Sequence, residues 1–319
     1  MIVGNLPSAE LRRRLTAPGL RIRIGPVVAQ IQSSSEVVRS CIALHYAAHE
    51  LAAADEFADF RVSLQESRGL ARLFRPPKAI FGFDGTPPFQ PLPAHQGFAL
   101  LEWGLNWAIA AYCHQYLIVH AAIVERDDRA LLLPAPPGSG KSTLCAALVA
   151  RGWRLLSDEL ALIDIDSGRA IPIPRPISLK NRSIALIGGF WPEAKMSAIV
   201  PDTLKGSVVH VQPPPANVQA SRSFPKLGWI VLPRYEADRP TELVPLSRGV
   251  VEGAAIVELK RAGAGDDVGQ HFEAAPAVHA VVEGVVDELH EADAARKRNE
   301  LGRPVGFVAW QDDPAELRK

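Results

Sequence analysis

The sequence predicts a mixed α/β protein in which helices pack on mixed, α+β-type sheets. Antiparallel hairpins flank a strand–loop–helix unit, and the apolar spacing switches repeatedly between strand-like alternation and helical periodicity. Hairpins require antiparallel neighbours, so an all-parallel doubly wound sheet is not expected. The 319 residues, 47% of them hydrophobic, suffice for one large domain or two modest ones with real cores.

Residues 1–115 form the first predicted region, a smaller α+β region that could bind a substrate or partner. The six prolines from 75 to 94 exclude an interior helix there and predict an extended loop with edge strands. The other elements predicted in this region are a strand at 20–32, a helix at 37–48, a strand at 60–64 and a helix at 97–113.

The main domain is predicted at 116–250. Asp127-Asp128 and Ser167-Gly168 are short turn signals, each between two apolar runs. Residues 251–319 are rich in alanine, valine and glutamate and predict a helical segment with a polar tail. The predicted elements are strands at 121–125 and 130–134, a helix at 142–150, and strands at 153–156, 161–166, 169–174, 208–211 and 229–232.

Charge and cysteine content exclude several classes of function. Lys plus Arg and Asp plus Glu number 35 each, so no net charge recruits nucleic acid or an anionic membrane. Three widely spaced cysteines argue against a disulfide framework. The most apolar window, 99–113, is broken by Glu102 and Asn106 and is too short to span a bilayer. A cytoplasmic location is therefore expected.

The strongest local signal is a glycine-rich loop between a strand and a helix, LLLPAPPGSGKST at 131–143. Such a loop turns its N–H groups around a phosphate, and the helix N-terminus adds positive potential. Lys141 is expected to reach the β and γ phosphates of ATP, and the Ser142 hydroxyl to bind Mg²⁺. Ala135 stands where the first glycine is usual. The predicted nucleotide-binding residues are Pro137, Gly138, Ser139, Gly140, Lys141, Ser142 and Thr143.

An acidic pair, Asp158-Glu159, follows Lys141 after one short helix and one strand. Both carboxylates should therefore lie beside the phosphate loop, where one can bind the metal and the other can accept a proton from a hydroxyl. A solvated acidic turn is the alternative.

Further candidate groups follow from hairpin register. Pairing around Asp127-Asp128 sets His120 opposite Ala135, where it could bind phosphate, orient Asp158 or satisfy backbone groups. Pairing around Ser167-Gly168 sets Arg175 opposite Leu160, where it could contact phosphate or pair with Glu159. Lys180 and Arg234 are further cations that could stabilise transferred phosphoryl charge. His45 and His49 lie four residues apart, and a solvated helix face is favoured there over a metal site.

These residues carry a family resemblance. His120-Ala121-Ala122, the loop ending at Ser142, and RGWRLLSDE at 151–159 resemble the catalytic core of HPr kinase/phosphorylase, and most closely its HprK-related kinase A subgroup. LEWGLNW at 101–107 is also similar to that subgroup, and the resemblance covers about residues 20–245. It implies a P-loop kinase core like the nucleotide-binding domain of phosphoenolpyruvate carboxykinase.

The resemblance also implies roles. Lys141 matches the loop lysine, Ser142 the metal-binding hydroxyl, Asp158 the proton acceptor, and Glu159 the second metal-binding acid, usually an aspartate. The family's Glu-Arg-Gly signature has its nearest match in Pro174-Arg175-Pro176, which lacks the acid. A small peptide-binding, chaperone-like partner and a homo-oligomer are implied as well.

The sequence thus predicts an ATP- and Mg²⁺-dependent kinase acting on a hydroxyl, with serine or threonine of a protein or peptide as acceptor. Two alternatives are a small-molecule kinase of the same fold and a nucleotide-dependent switch without phosphoryl transfer. The residues assigned to catalysis are Asp158, Lys141, His120, Arg175 and Arg234, and those assigned to the metal are Ser142, Glu159 and Asp158.

Overall fold

The computed structural model of the chain describes residues 1–67, 76–236 and 306–309. These residues form two compact units, between which the chain passes several times. The first unit holds residues 1–67, 76–114, 171–184 and 193–223, and the second holds 115–170, 185–192 and the described residues from 224 onward. The main domain predicted at 116–250 includes residues 171–184 and 193–223, whereas the structure groups them with the first unit.

Helices and strands both occur in each part of the described chain, which confirms the mixed α/β class. The helices are α1 Ser8–Thr16, α2 Glu36–His45, α3 Gly97–Tyr112, α4 Lys141–Ala150, α5 Arg182–Phe190 and α6 Pro215–Gln219. The strands are β1 Leu20–Ile24, β2 Val27–Ser33, β3 Phe60–Glu66, β4 Lys78–Phe83, β5 Leu92–Pro93, β6 Tyr116–Val119, β7 Ala121–Arg126, β8 Arg129–Pro134, β9 Arg154–Ser157, β10 Ala161–Asp164, β11 Ala170–Ile171, β12 Ile177–Lys180, β13 Val200–Thr203, β14 Gly206–Val211, β15 Lys226–Ile230, β16 Pro233–Glu236 and β17 Gly306–Ala309.

A five-stranded sheet in the order β1-β2-β3-β4-β5 forms the centre of the first unit. The β2–β3 pair is parallel and the other pairs are antiparallel, so the sheet is mixed. The predicted strand at 20–32 is in fact the β1–β2 hairpin. Gly25 has a φ of +57° at the turn, a conformation that glycine adopts without strain. A smaller antiparallel sheet, β12-β14-β13, completes this unit.

A four-stranded sheet in the order β15-β8-β7-β9 carries the phosphate loop in the second unit. β15 runs parallel to β8, while β7 is antiparallel to both β8 and β9. The predicted register of the β7–β8 hairpin is confirmed, since Ala121 pairs with Pro134. Its turn residues Asp127 and Asp128 both have positive φ, as a two-residue I′ turn requires.

Several predicted boundaries near the C-terminus differ from the structure. The strand predicted at 229–232 is β15 at Lys226–Ile230. In the C-terminal segment predicted to be helical, the described residues form β17, which pairs with β16. The rest of 251–319 lies outside the described residues. Within the described parts of the chain, none of the helices has both the length and the apolarity to cross a membrane.

Candidate nucleotide-binding site

The ends of three strands bring the predicted site residues to one edge of the four-stranded sheet. β8 and β9 run parallel because each is antiparallel to β7, which lies between them. Their carboxyl ends therefore lie at the same edge as the amino end of β7. The phosphate loop follows β8, Asp158-Glu159 follows β9, and His120 directly precedes β7.

Two left-handed glycines shape the loop after β8. Gly138 has a φ of +90° and Gly140 a φ of +88°. Between them the Ser139 N–H group donates to the Pro136 carbonyl at 3.3 Å, which closes a turn with Pro137 and Gly138 at its centre. Proline and then a left-handed glycine suit the two central positions of a type II turn. Pro136 and Pro137 thus restrict the loop to this conformation, and each removes one N–H donor.

The amino end of α4 presents free N–H groups at the loop. Gly140 occupies the N-cap position and supplies no side chain to cap the helix. The Leu144 N–H group donates to the Gly140 carbonyl at 2.9 Å. Among the described residues the preceding N–H groups of Lys141, Ser142 and Thr143 have no acceptor. These donors and the helix dipole make this end of α4 suitable for an anion.

Lys141, the first residue of α4, is buried, with 10% of its side chain exposed. Its ammonium group lies 3.9 Å from Oε2 of Glu159. A lysine is rarely buried without an anionic partner. Here one carboxylate is within ion-pair distance, and the N–H groups of the loop adjoin the lysine in sequence.

Glu159 also accepts a hydrogen bond from His120. The distance from Nε2 of His120 to Oε2 of Glu159 is 3.1 Å. The side chain of His120 is 57% exposed, whereas that of Glu159 is 19% exposed. Of the roles open to His120, the structure therefore shows a contact to the acidic pair, through Glu159 rather than Asp158. A phosphate contact stays a prediction.

Asp158 is the more deeply buried member of the pair, with 3% of the residue exposed. The pKa of the Cys145 thiol on α4 indicates that the Asp158 carboxylate lies nearby. Burial raises the pKa of Cys145 well above its usual value, the Asp158 carboxylate raises it further, and Lys141 lowers it. Both charged groups therefore lie near this thiol. Cys145 is a buried core residue and at this pKa is not a reactive thiolate.

The oxygen donors at this edge fit Mg²⁺. Ser142 offers a hydroxyl and Asp158 and Glu159 offer carboxylates, the hard ligands that Mg²⁺ prefers, usually with one or two carboxylates completed by substrate phosphates and water. A cluster of three or more His, Cys, Asp or Glu side chains suited to a metal is not found in the described parts of the chain.

Arg175 does not occupy the predicted position opposite Leu160. Asp164 N–H donates to Arg169, and β11 ends at Ile171, so the hairpin stops short of Arg175. Pro172, Pro174 and Pro176 explain this, because prolines at alternate positions remove the N–H donors that a ladder needs.

The guanidinium group of Arg175 instead belongs to a buried cluster in the first unit. It donates to Oε2 of Glu102 at 3.2 Å and to the side-chain oxygen of Asn106, and Tyr46 donates to Oε1 of Glu102 at 2.7 Å. The structure thus shows Arg175 paired with Glu102, whereas the sequence left open a phosphate contact or a pair with Glu159; a phosphate contact stays a prediction. Glu102 and Asn106 could have been found from the sequence, since they are the two polar residues in the most apolar window.

The remaining candidates are less closely tied to this edge. β15 ends at Ile230 on the same edge, and the exposed Arg234 follows on β16, where it pairs with Val308. Lys180 ends β12 in the first unit and is half-buried. A contact of either cation with phosphate stays a prediction.

The expectation for His45 and His49 is wrong. Both residues are buried, and α2 ends at His45. Burial lowers the pKa of each imidazole to about 4. His45 stacks on Phe98, and Nε2 of His49 donates to the Pro174 carbonyl at 2.8 Å.

No family model and no curated protein matches the chain. Its function must therefore be inferred from the chemistry of the site itself.

Proposed function

We propose that this protein is an ATP- and Mg²⁺-dependent kinase that transfers the γ-phosphoryl group to a hydroxyl, with serine or threonine of a protein or peptide as acceptor. The observation that carries the proposal is a buried lysine at a helix N-terminus with free N–H groups, facing a carboxylate from a neighbouring strand end. Phosphoryl transfer depends mainly on positioning and on stabilising charge, and this arrangement supplies both.

The residues divide the work as follows. The backbone from Pro137 to Thr143 and the Lys141 ammonium group bind the phosphates. Ser142 and Glu159, with Asp158 beside them, hold the metal ion, which when bound neutralises charge on the β and γ phosphates. His120, through its hydrogen bond, holds Glu159 in place.

Asp158 accepts the proton of the acceptor hydroxyl. The acceptor oxygen then bonds to the γ-phosphorus, and the bond between that phosphorus and the β–γ bridging oxygen breaks. The products are a phosphate ester, ADP and protonated Asp158, which returns its proton to solvent. Asp158 thus serves the proton transfer, beside the metal ligands Ser142 and Glu159.

The proposal includes a P-loop kinase core of the HPr kinase type. The mixed sheet, the loop after β8 and the acidic pair after β9 are what a core of the HPr kinase type, similar to the nucleotide-binding domain of phosphoenolpyruvate carboxykinase, would contain. The reverse, phosphorylase reaction is not proposed, because Arg175, at the nearest match to the Glu-Arg-Gly signature, is bound to Glu102 and Asn106.

Radiolabelled ATP tests the proposal with the whole chain. The wild type should release labelled phosphate or label an acceptor from a peptide library. Asp158→Asn should keep nucleotide binding and lose label transfer by about 100-fold or more. Asp166→Asn, which changes an exposed carboxylate in the loop after β10, is the matched control and should behave as wild type.

A second variant tests the phosphate cradle separately. Lys141→Ala should weaken ATP binding, measured by calorimetry, because it removes the buried cation. Unchanged affinity would contradict phosphate binding by Lys141 and the loop. If the wild type binds ATP but neither labels an acceptor nor releases phosphate, the kinase assignment fails.

A further inference from the structure

One carboxylate oxygen joins the two basic side chains at the loop edge. Oε2 of Glu159 lies 3.1 Å from Nε2 of His120 and 3.9 Å from the Lys141 ammonium group. The hydrogen bond from His120 restrains this oxygen beside Lys141. Glu159 is therefore an anion already placed next to the cation that the proposed function assigns to phosphate.

The ion pair is not a weak surface contact. Both side chains are mostly buried. Solvent and salt screen buried charges less than exposed ones, so the two charges attract more strongly here than they would in bulk water. A phosphate that enters the loop needs the same ammonium group.

We propose that Glu159 is an internal competitor of phosphate for Lys141. Its carboxylate lowers the affinity of the loop for a phosphate that arrives without a metal ion. A divalent cation gives the carboxylate another partner, so the penalty should be smaller for a metal-bound phosphate. Glu159 thereby makes the site selective for the metal complex of a nucleotide over the free nucleotide. This inference rests on the proposed function, because it requires phosphate to bind at Lys141.

Calorimetry with pyrophosphate and the full-length chain tests the inference without measuring turnover. Glu159→Gln removes the charge and nearly keeps the shape, so it should bind metal-free pyrophosphate about tenfold tighter than wild type. With saturating Mg²⁺ the gain should shrink or reverse, because the variant has also lost a metal ligand. Asp127→Asn is the control for net charge, since it neutralises an exposed turn residue at the far end of β7; its affinity should match that of wild type.

Two further variants separate competition from other causes. The double variant with Lys141→Met and Glu159→Gln should bind metal-free pyrophosphate no tighter than Lys141→Met alone, because no amine is left to compete for. Glu159→Asp keeps the charge but is one methylene shorter, so it should bind metal-free pyrophosphate with an affinity between wild type and Glu159→Gln. This second variant also keeps the test valid if Glu159→Gln does not fold.

The outcomes distinguish the two proposals. If wild type binds pyrophosphate but Glu159→Gln and Glu159→Asp bind the metal-free anion no tighter, internal competition is overturned and the cradle stands. A gain that persists without Lys141 also overturns it. If the wild type and all variants fail to bind pyrophosphate with or without Mg²⁺, the proposed phosphate site itself fails.

Discussion

Gly138 shows how a single residue shapes the candidate site. Its φ of +90° lies in the left-handed region, and a Cβ built there would have nothing within 4 Å. The restriction on this position is therefore conformational rather than steric. Gly152 has the same property, with a φ of +87° and open space, but it lies after α4 and away from the loop.

Alanine substitutions at these two glycines should separate stability from binding. Both Gly138→Ala and Gly152→Ala should lower the free energy of unfolding by about 1–2 kcal/mol, because each forces an L-residue into the left-handed region. Only Gly138→Ala should also weaken nucleotide binding, by about tenfold, since relaxing the strain turns the loop N–H groups away. Calorimetry and urea denaturation measure the two effects. Equal binding losses in both variants would contradict a local role of Gly138.

The sequence predicted which residues share the loop edge, but it did not predict which of their side chains are in contact. The strand–loop–helix order fixed the places of Lys141, Asp158 and His120, because hairpin register and strand direction determine which residues share an edge. The contact of His120 with Glu159 rather than Asp158 was not predictable. It depends on where adjacent side chains point at the end of β9, after the register shift between β7 and β9.

At the scale of elements, helix α3 contains a buried acidic residue that forms an ion pair. Glu102 lies within its apolar sequence and pairs with Arg175 from the segment before β12. Burial raises the pKa of Glu102, while Arg175 lowers it. Sequence reasoning missed this pair because the partners are 73 residues apart, and no local periodicity relates them.

A double-mutant cycle measures what the pair contributes. Glu102→Leu leaves the Arg175 charge buried without its counter-ion and should lower the free energy of unfolding by about 3–5 kcal/mol. Arg175→Met should also destabilise, but the double variant should lose less than the sum of the two. Chemical denaturation provides these values. The exposed pair of Arg126 with Asp127 is the control, and Asp127→Asn should change stability little. Additive losses would show that the buried pair does not interact.

The cycle also decides the role of Arg175. If Arg175→Met folds and retains full phosphoryl transfer at a temperature below its unfolding transition, the catalytic assignment made from the sequence is wrong. Loss of transfer with intact folding would restore that assignment. The structure favours the structural role, since the guanidinium group is bound to Glu102 and Asn106.

At the scale of the molecule, the buried histidines His45 and His49 couple stability to pH. His45 has a pKa lowered to about 4 by burial, and neither of its ring nitrogens has a hydrogen-bond partner among the described residues. The folded state therefore disfavours the charged form. Stability is complete above the unfolded pKa of 6.5 and falls as the pH drops from 6.5 toward 4, because the unfolded chain binds the proton first.

Replacing His45 should remove part of this acid sensitivity. At about pH 5 the titration of His45 should cost about 2 kcal/mol of folding free energy, which His45→Met would recover. Near neutral pH the variant should be at least as stable as wild type, since it also removes an unpaired buried N–H group. Thermal unfolding at both pH values gives the comparison, with the exposed His95→Gln as control. A wild-type pH dependence unchanged in His45→Met would show that His45 does not titrate on unfolding.

The division of the chain between two units has a consequence for biosynthesis. The first unit takes its last pieces from residues 171–184 and 193–223, and Arg175 comes from one of these. A ribosome therefore completes the phosphate loop before it makes the counter-ion of Glu102. The amino-terminal unit can finish folding only after residue 223 has left the ribosome. A nonsense codon anywhere before that point should thus cost the cell both units, including the one that was synthesised first.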